Sequence, residues 1–217
     1  MKKIYPIIGM SPGNSYFKDV IVKELLAKVI SKYGRTAVLV ADIPAISTYV
    51  ALGYQKNRAR RDKALPQGNS LRNKVRKSMD ELGYSDQQVK IIDWESESEN
   101  NQTYRDKYAQ VLALYESNEA FRGAAQEATK KVLDYSDKHV SDIDSAIKIA
   151  VHYLLSEFAF MEFAPEFLAA EKVIYVYHKT WPVYEAYRTG EFDGKSRDYL
   201  ESEIVTTDKV HLGSGII

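Results

Sequence analysis

Three segments at the amino end leave few folds open to this chain. Lys3–Ile8 reads as a buried strand. Phe17–Tyr33 reads as an amphipathic helix, with Val20, Ile21, Leu25, Leu26 and Val29 turned inward. Thr36–Ala41 reads as a second buried strand. Strand, helix and strand in this order form a βαβ unit, whose strands pair in parallel. An α/β fold follows, and open α/β sheets bind ligands beyond the carboxyl ends of their strands. The turn that leaves the first strand is Gly9-Met10-Ser11-Pro12-Gly13-Asn14-Ser15-Tyr16-Phe17. Its glycines and proline suit a tight turn whose backbone approaches a ligand closely. The simplest role for Asn14 or Ser15 is to cap the helix. Gly9–Gly13 is formally G-x-S-x-G, so a serine hydrolase is one alternative. Phosphate-loop and dinucleotide glycine patterns are absent.

Further along, Asp42-Ile43-Pro44 breaks the second strand and Ala45–Tyr54 reads as a helix. Gly68-Asn69-Ser70 looks like the start of a helix over Leu71–Leu82. Val89–Trp94 is a third strand, followed by an acidic loop over Glu95–Asn101. Helices are expected at about 102–115, 118–135 and 142–161, the last burying Ile149, Leu154, Phe158 and Met161. Within it, Tyr153 and Glu157 stand four residues apart, on one helix face. Val173–Tyr177 is a fourth strand, and its end carries Tyr177-His178 with Trp181-Pro182 beyond. A short helix over Val183–Tyr187 and a strand over Glu203–Thr206 complete the reading. If the strands are parallel, Ser11 and Tyr177-His178 emerge at the same edge.

Charge is balanced overall, with 30 basic and 30 acidic residues, but unevenly placed. Between residues 55 and 77, Lys56, Arg58, Arg60, Arg61, Lys63, Arg72, Lys74, Arg76 and Lys77 face a single acid, Asp62. So one-sided a cluster in a neutral chain suits a polyanion, and its arginines suit phosphate. Aromatic residues are nearly missing there, which favours backbone contact with structured nucleic acid. The chain has no cysteine, so disulfides, thiolate metal sites and cysteine nucleophiles are excluded. There is no apolar run of the ~18 residues a bilayer span needs and no signal-peptide pattern. The expectation is a single cytoplasmic domain over residues 1–217, with no membrane partner.

Taken in order and spacing, these pieces resemble the tRNA-dependent cyclodipeptide synthases. The pieces are Gly9-x-Ser11-x-x-Asn14-Ser15-Tyr16-Phe17; Asp42 followed by Thr48-Tyr49-x-Ala51-Leu52-Gly53-Tyr54; Asn69-x-Leu71-Arg72 in the basic segment; Tyr153-x-x-x-Glu157; and Tyr177-His178 with Trp181-Pro182. Asn14, Tyr177 and His178 match the branch of the family named for its Asn, Tyr and His. The resemblance implies a Rossmann-like, mainly parallel sheet flanked by helices, similar to the catalytic domain of class I tyrosyl- and tryptophanyl-tRNA synthetases. The ATP-site signatures of those synthetases are absent here, as suits an enzyme that receives amino acids already activated.

The resemblance also implies roles. Ser11 takes the first aminoacyl group from one aminoacyl-tRNA. A second aminoacyl-tRNA then supplies the amine, and a dipeptidyl-enzyme cyclises to a 2,5-diketopiperazine. Tyr153 and Glu157 hold the α-ammonium of the first group, and Tyr153 relays a proton in cyclisation. Tyr177 bonds around Ser11, with Asn14 and His178 in support. Ile7, Gly9, Leu39 and Ala41 line the first side-chain pocket, with Tyr175 or Phe160 as a further member; Tyr104 corresponds to another pocket tyrosine of the family; and the basic residues named above hold the tRNA. No cofactor, metal, ATP or DNA is required, and a monomer is implied. A tRNA-binding protein without catalysis would explain the basic segment alone. The two amino acids and the second side-chain pocket are not identified.

Overall fold

The computed structural model describes residues 3–134, 140–178, 181–205 and 207. Five strands, β1 Ile4–Met10, β2 Thr36–Val40, β3 Val89–Ile92, β4 Lys172–Tyr177 and β5 Leu200–Ile204, form one sheet in the order β3-β2-β1-β4-β5. Every pairing is parallel. Helices α1 Asp19–Tyr33, α2 Asp42–Ala51, α3 Lys56–Arg58, α4 Leu65–Leu82, α5 Gln102–Ser117, α6 Glu119–Asp134, α7 Ile143–Phe167 and α8 Pro182–Thr189 surround it. The chain steps outward from β1 through β2 to β3, then returns to the other side of β1 for β4 and β5. That reversal opens a crevice beyond the ends of β1 and β4, where such sheets bind ligands.

Both faces of the sheet's centre are covered, which is why β1, β2 and β4 are mostly apolar rather than alternating, whereas edge strand β5 alternates. Ile7, Leu39 and Tyr175 join one buried cluster with Trp94, Phe158 and Phe160 of the α5–α7 side. Ile8, Met10, Val38 and Val176 join the other, under α1 and α4. Pro6 sits within central β1 without cost to the β2 ladder, which starts one residue later at Ile7↔Ala37. The Pro6 carbonyl instead accepts the Thr36 hydroxyl at 3.2 Å.

Several expected boundaries move. α2 begins at Asp42, not Ala45, because Pro44 lies in the first turn, where a missing N–H costs little. The basic segment is helical from Lys56, passing through a π-helical stretch, Ala59–Ala64, into α4. Gly68 is therefore not a helix start. It is the point where α4 lies on Asp42, and a Cβ there would come within 2.6 Å of the Asp42 Cβ. The acidic loop coils into a π-helical stretch, Trp94–Glu99. β5 starts three residues before the expected Glu203, and Thr206 lies outside the described residues. Val20 and Ile149 are 41% and 39% exposed rather than inward. The buried stripe of α1 runs Ile21, Val22, Leu25, Leu26, Val29, Ile30, which leaves Val20 a helical step outside it.

Candidate active site

Ser11 is the first residue beyond β1. Its carbonyl accepts the Asn14 N–H at 3.2 Å, closing a turn in which Gly13 has φ +82°. A side chain at Gly13 would be strained, and its Cβ would stand 3.0 Å from both Gln67 Oε1 and the Tyr49 hydroxyl. Asn14 does not cap α1. Its Oδ1 accepts the Tyr16 N–H at 2.9 Å, bracing the turn itself, and its Nδ2 lies 3.5 Å from the Tyr177 hydroxyl. The helix starts later, at Asp19, with Lys18 before it and no side-chain cap.

The turn meets α7. The Tyr153 hydroxyl donates to Ser11 Oγ at 2.8 Å, a bond across 142 residues of sequence. Burial holds the Tyr153 phenol well above its ordinary pKa, and the neighbouring Glu157 pushes it the same way, so it stays a neutral donor. Tyr177, at the end of β4, is pushed up to about 12 by burial, with Ser11 and Asn14 offsetting part of the rise. His178 stacks on Tyr16 with ring centroids 4.0 Å apart and lies 4.3 Å from the Tyr177 ring. It buttresses the phenols. A serine hydrolase relay places an imidazole against its nucleophile, whereas the group bonded to Ser11 is a phenol. Lys179 and Thr180 lie outside the described residues.

One turn along α7, Glu157 is 5% exposed. Burial lifts its pKa to about 8, with the Tyr153 hydroxyl pulling slightly the other way. Glu157 Oε2 and the Tyr175 hydroxyl are buried without a hydrogen-bond partner among the described residues. Both residues line a small cavity of about 40 Å³ beside Gly9. An orphaned acceptor and an orphaned hydroxyl facing one cavity suit a small polar group such as an ammonium.

The raised pKa has a stability consequence. Between about pH 4.5 and pH 8 the folded protein keeps the Glu157 proton that the unfolded chain has released, so stability falls as pH rises through that window. The loss by pH 8 is on the order of 4 kcal/mol. Glu157→Gln should remove it. Denaturant titrations at pH 5 and pH 8 should show wild type losing stability relative to the variant, and parallel pH profiles would refute the assignment.

A larger cavity of about 250 Å³ opens on the other side of Ser11. Ser11, Asn14, Tyr153 and Tyr177 form its polar end. Ala45, Thr48, Tyr49 and Leu52 of the α2 region, Ala128, Thr129 and Val132 of α6, and Ala150 and Leu154 of α7 form the rest, with Tyr177 and Trp181 shared between the two cavities. Sequence reasoning did not name the α6 wall. Its only trace is a face of small residues at helical spacing, which single-sequence patterns do not separate from ordinary packing. Of the expected first pocket, Gly9 lines the smaller cavity. Ile7, Leu39, Ala41, Tyr104 and Phe160 are all packed in the adjoining core, 0% to 4% exposed. The Tyr104 hydroxyl approaches the Ser156 carbonyl at 3.5 Å.

The basic segment divides. Arg72 is not a surface cation. It is 8% exposed, and its Nη2 donates to Asp42 Oδ2 at 2.6 Å, while its Nη1 reaches Asn69 Oδ1 at 3.2 Å. A buried carboxylate at the start of α2 required a partner, and α4 supplies it. Lys74 donates to the Phe17 carbonyl at 2.8 Å, tying α4 to the Ser11 turn. Arg60, Arg61 and Lys77 pair with Glu95, Asp62 and Asp19. Lys56, Arg58 and Arg76 are exposed, and with Lys63 they have no carboxylate at ion-pair distance among the described residues. Among those residues no group of His, Asp or Glu could hold a metal ion, and no helix is long and apolar enough to cross a membrane.

Against known proteins, the cyclodipeptide synthase family model matches residues 3–200. A cyclo(L-tyrosyl-L-tyrosyl) synthase of Mycobacterium tuberculosis is 24% identical over 182 residues, which is 83% of this chain and only 62% of that protein's length. A cyclo(L-leucyl-L-leucyl) synthase of Bacillus subtilis is 23% identical over 88% of this chain and 77% of its own. Among solved structures, a cyclodipeptide synthase from Staphylococcus haemolyticus superposes with TM-score 0.79 at 17% identity, covering 94% of this chain and 92% of that one. A Mycobacterium tuberculosis structure, described as showing that cyclodipeptide synthetases are related to type I tRNA synthetases, superposes at 0.78 with 23% identity, covering 95% and 87%.

Proposed function

The chain belongs to the cyclodipeptide synthase family, and from that premise we propose that it joins two aminoacyl groups, each delivered by an aminoacyl-tRNA, into a cyclodipeptide through a covalent intermediate on Ser11. The observation that carries the reading is the Tyr153–Ser11 hydrogen bond at 2.8 Å in the crevice between β1 and β4, one helical turn from buried Glu157.

Ser11 Oγ attacks the ester carbonyl carbon of the first aminoacyl-tRNA. The bond to the ribose oxygen breaks, and that oxygen leaves with the serine proton. The ester is already activated, so no further energy source enters. The direction of the next step follows from atom balance. If the second amine attacked the Ser11 ester, Ser11 would be freed and no dipeptidyl-enzyme would exist. The expectation that the second tRNA supplies that amine is therefore reversed: the amine on Ser11 attacks the ester of the second aminoacyl-tRNA and releases the second tRNA. Glu157 suits this step. Burial alone raises the pKa of its carboxyl, and a bound ammonium favours the carboxylate, so the same group can hold the ammonium and then take its proton. The new terminal amine then attacks the Ser11 ester. The ring closes, and Tyr153, bonded to Ser11 Oγ, passes its proton to the departing serine and takes the one the amine sheds.

The test is to mix purified protein with charged tRNAs and read two masses. Acid-quenched protein should carry an aminoacyl adduct on Ser11, and the supernatant should contain a diketopiperazine that names both residues. Free amino acid as the sole product would instead mark an esterase.

In the same reading, exposed cations of 55–77 hold tRNA phosphates, contacts that position without reading sequence. Arg76 and Arg72 should then separate. Arg76→Gln should leave thermal stability nearly unchanged and lower the slope of log affinity against log salt by about one. Arg72→Met strands buried Asp42 and should cost about 3–5 kcal/mol of stability. Equal effects of the two substitutions on stability would contradict the division.

A further inference from the structure

Two tyrosines connect the basic segment to the Ser11 turn, and the chemistry above uses neither. Tyr49 lines the larger cavity, and its hydroxyl donates to Gln67 Oε1 of α4. Tyr54, half-buried just beyond α2, meets Tyr49 edge-on, with ring centroids 6.1 Å apart and planes at 85°. Lys63 Nζ lies 5.3 Å from the centre of the Tyr54 ring. Lys56 and Arg58 follow within four residues, both exposed. Cations thus stand beside a pair of aromatic rings, the inner of which lines the cavity that holds Ser11.

Aromatic rings with cations beside them suit a single-stranded polynucleotide, which offers bases to stack and phosphates to pair. An ester carried at the end of a duplex arm must cross from the surface holding the duplex to Ser11, and the strand that carries it is unpaired. We propose that Tyr54 and Tyr49, flanked by Lys56, Arg58 and Lys63, form the track on which the unpaired 3′ end of the aminoacyl-tRNA lies as its ester reaches Ser11. The inference rests on the reading that such RNAs are the substrates. Stacking tolerates any base. A track built on it serves both RNAs of one catalytic cycle, whatever amino acids they bear.

The test uses the full chain and two synthetic RNA hairpins of the same stem, one with four unpaired 3′ nucleotides and one blunt. Tyr54→Leu keeps apolar packing and removes the aromatic face, whereas Tyr54→Phe keeps the face. Wild type and Tyr54→Phe should bind the overhanging hairpin about tenfold more tightly than the blunt one. Tyr54→Leu should lose most of that preference, Tyr49 and the cations keeping the rest. A 2-aminopurine in the overhang should be quenched by wild-type protein, a readout that needs no variant. Equal affinity of wild type for the two hairpins, or an overhang preference undiminished in Tyr54→Leu, would overturn the track while leaving the basic surface as a duplex site. If neither hairpin binds wild type at low salt, the RNA-substrate reading fails and the track fails with it.

Discussion

Replacing Ser11 with Ala should lower cyclodipeptide formation by about a thousandfold or more, since on the proposed route it removes the reaction path rather than one contact within it. Binding of a charged tRNA should change little, because Ser11 is a small, half-buried side chain at the end of the crevice and the exposed cations lie on other elements. The aminoacyl adduct should vanish together with the product. Two companions sharpen the result. Tyr153→Phe removes a phenol that donates to Ser11 Oγ and keeps the ring, so it should slow turnover while an adduct still forms. Glu157→Gln should allow loading but impair the step that needs a free amine. Undiminished product from Ser11→Ala would sink the covalent route.

The second large effect concerns stability, and it lies away from the chemistry. Arg197 is buried between α7 and the segment that follows α8. It pairs with Glu162 of α7 and with Asp193 at 2.8 Å, and it stacks 3.7 Å from the centre of the Tyr187 ring. Its Nη1 also donates to the Tyr187 and Lys195 carbonyls, at 2.7 and 2.8 Å. Glu162 in turn accepts from the hydroxyls of Tyr187, at 2.8 Å, and Tyr199. Nearly every polar atom in the cluster is satisfied, so removing one member leaves a buried charge without its partner. Arg197→Ala should cost about 3–5 kcal/mol, or roughly 10 °C of melting temperature for a chain of this size. Removing both charges, as in Glu162→Met with Arg197→Met, should cost less than Arg197→Ala alone. A melting temperature within 2 °C of wild type for Arg197→Ala would show that the cluster is not holding the carboxyl-terminal region in place.

Much of the site was legible because its parts obey local rules. An apolar run, a glycine-and-proline turn and an amphipathic helix mark a strand end wherever they occur, which put Ser11 at the edge of the sheet. A spacing of four put Tyr153 and Glu157 on one face of α7. What local rules do not carry is pairing across the chain. Arg72 looked like its neighbours because nothing near it in sequence distinguishes it, and its partner, Asp42, is 30 residues away. Pro44 read as a breaker because its effect depends on whether it falls in the first turn of a helix or later, and that depends on where Asp42 is anchored. Val20 and Ile149 were misplaced because a stripe two residues wide leaves its immediate neighbours exposed, and apolar character alone does not give the phase. The larger cavity was invisible for a related reason. Its walls come from three helices whose packing angles no single helix specifies.

The π-helical stretch Ala59–Ala64 divides the cationic helix into two lengths, one carrying Lys56 and Arg58 and the other Arg76. Such a stretch accommodates one residue more than an α-helical path of the same length, and one residue is worth about 100° of rotation about the axis. The extra residue therefore works as a phase setting, fixing the angle at which one set of charges stands to the other. Deleting a single residue there would leave composition and net charge nearly as they are and turn the first set away, so that a rigid polyanion lying along one set would no longer meet the second.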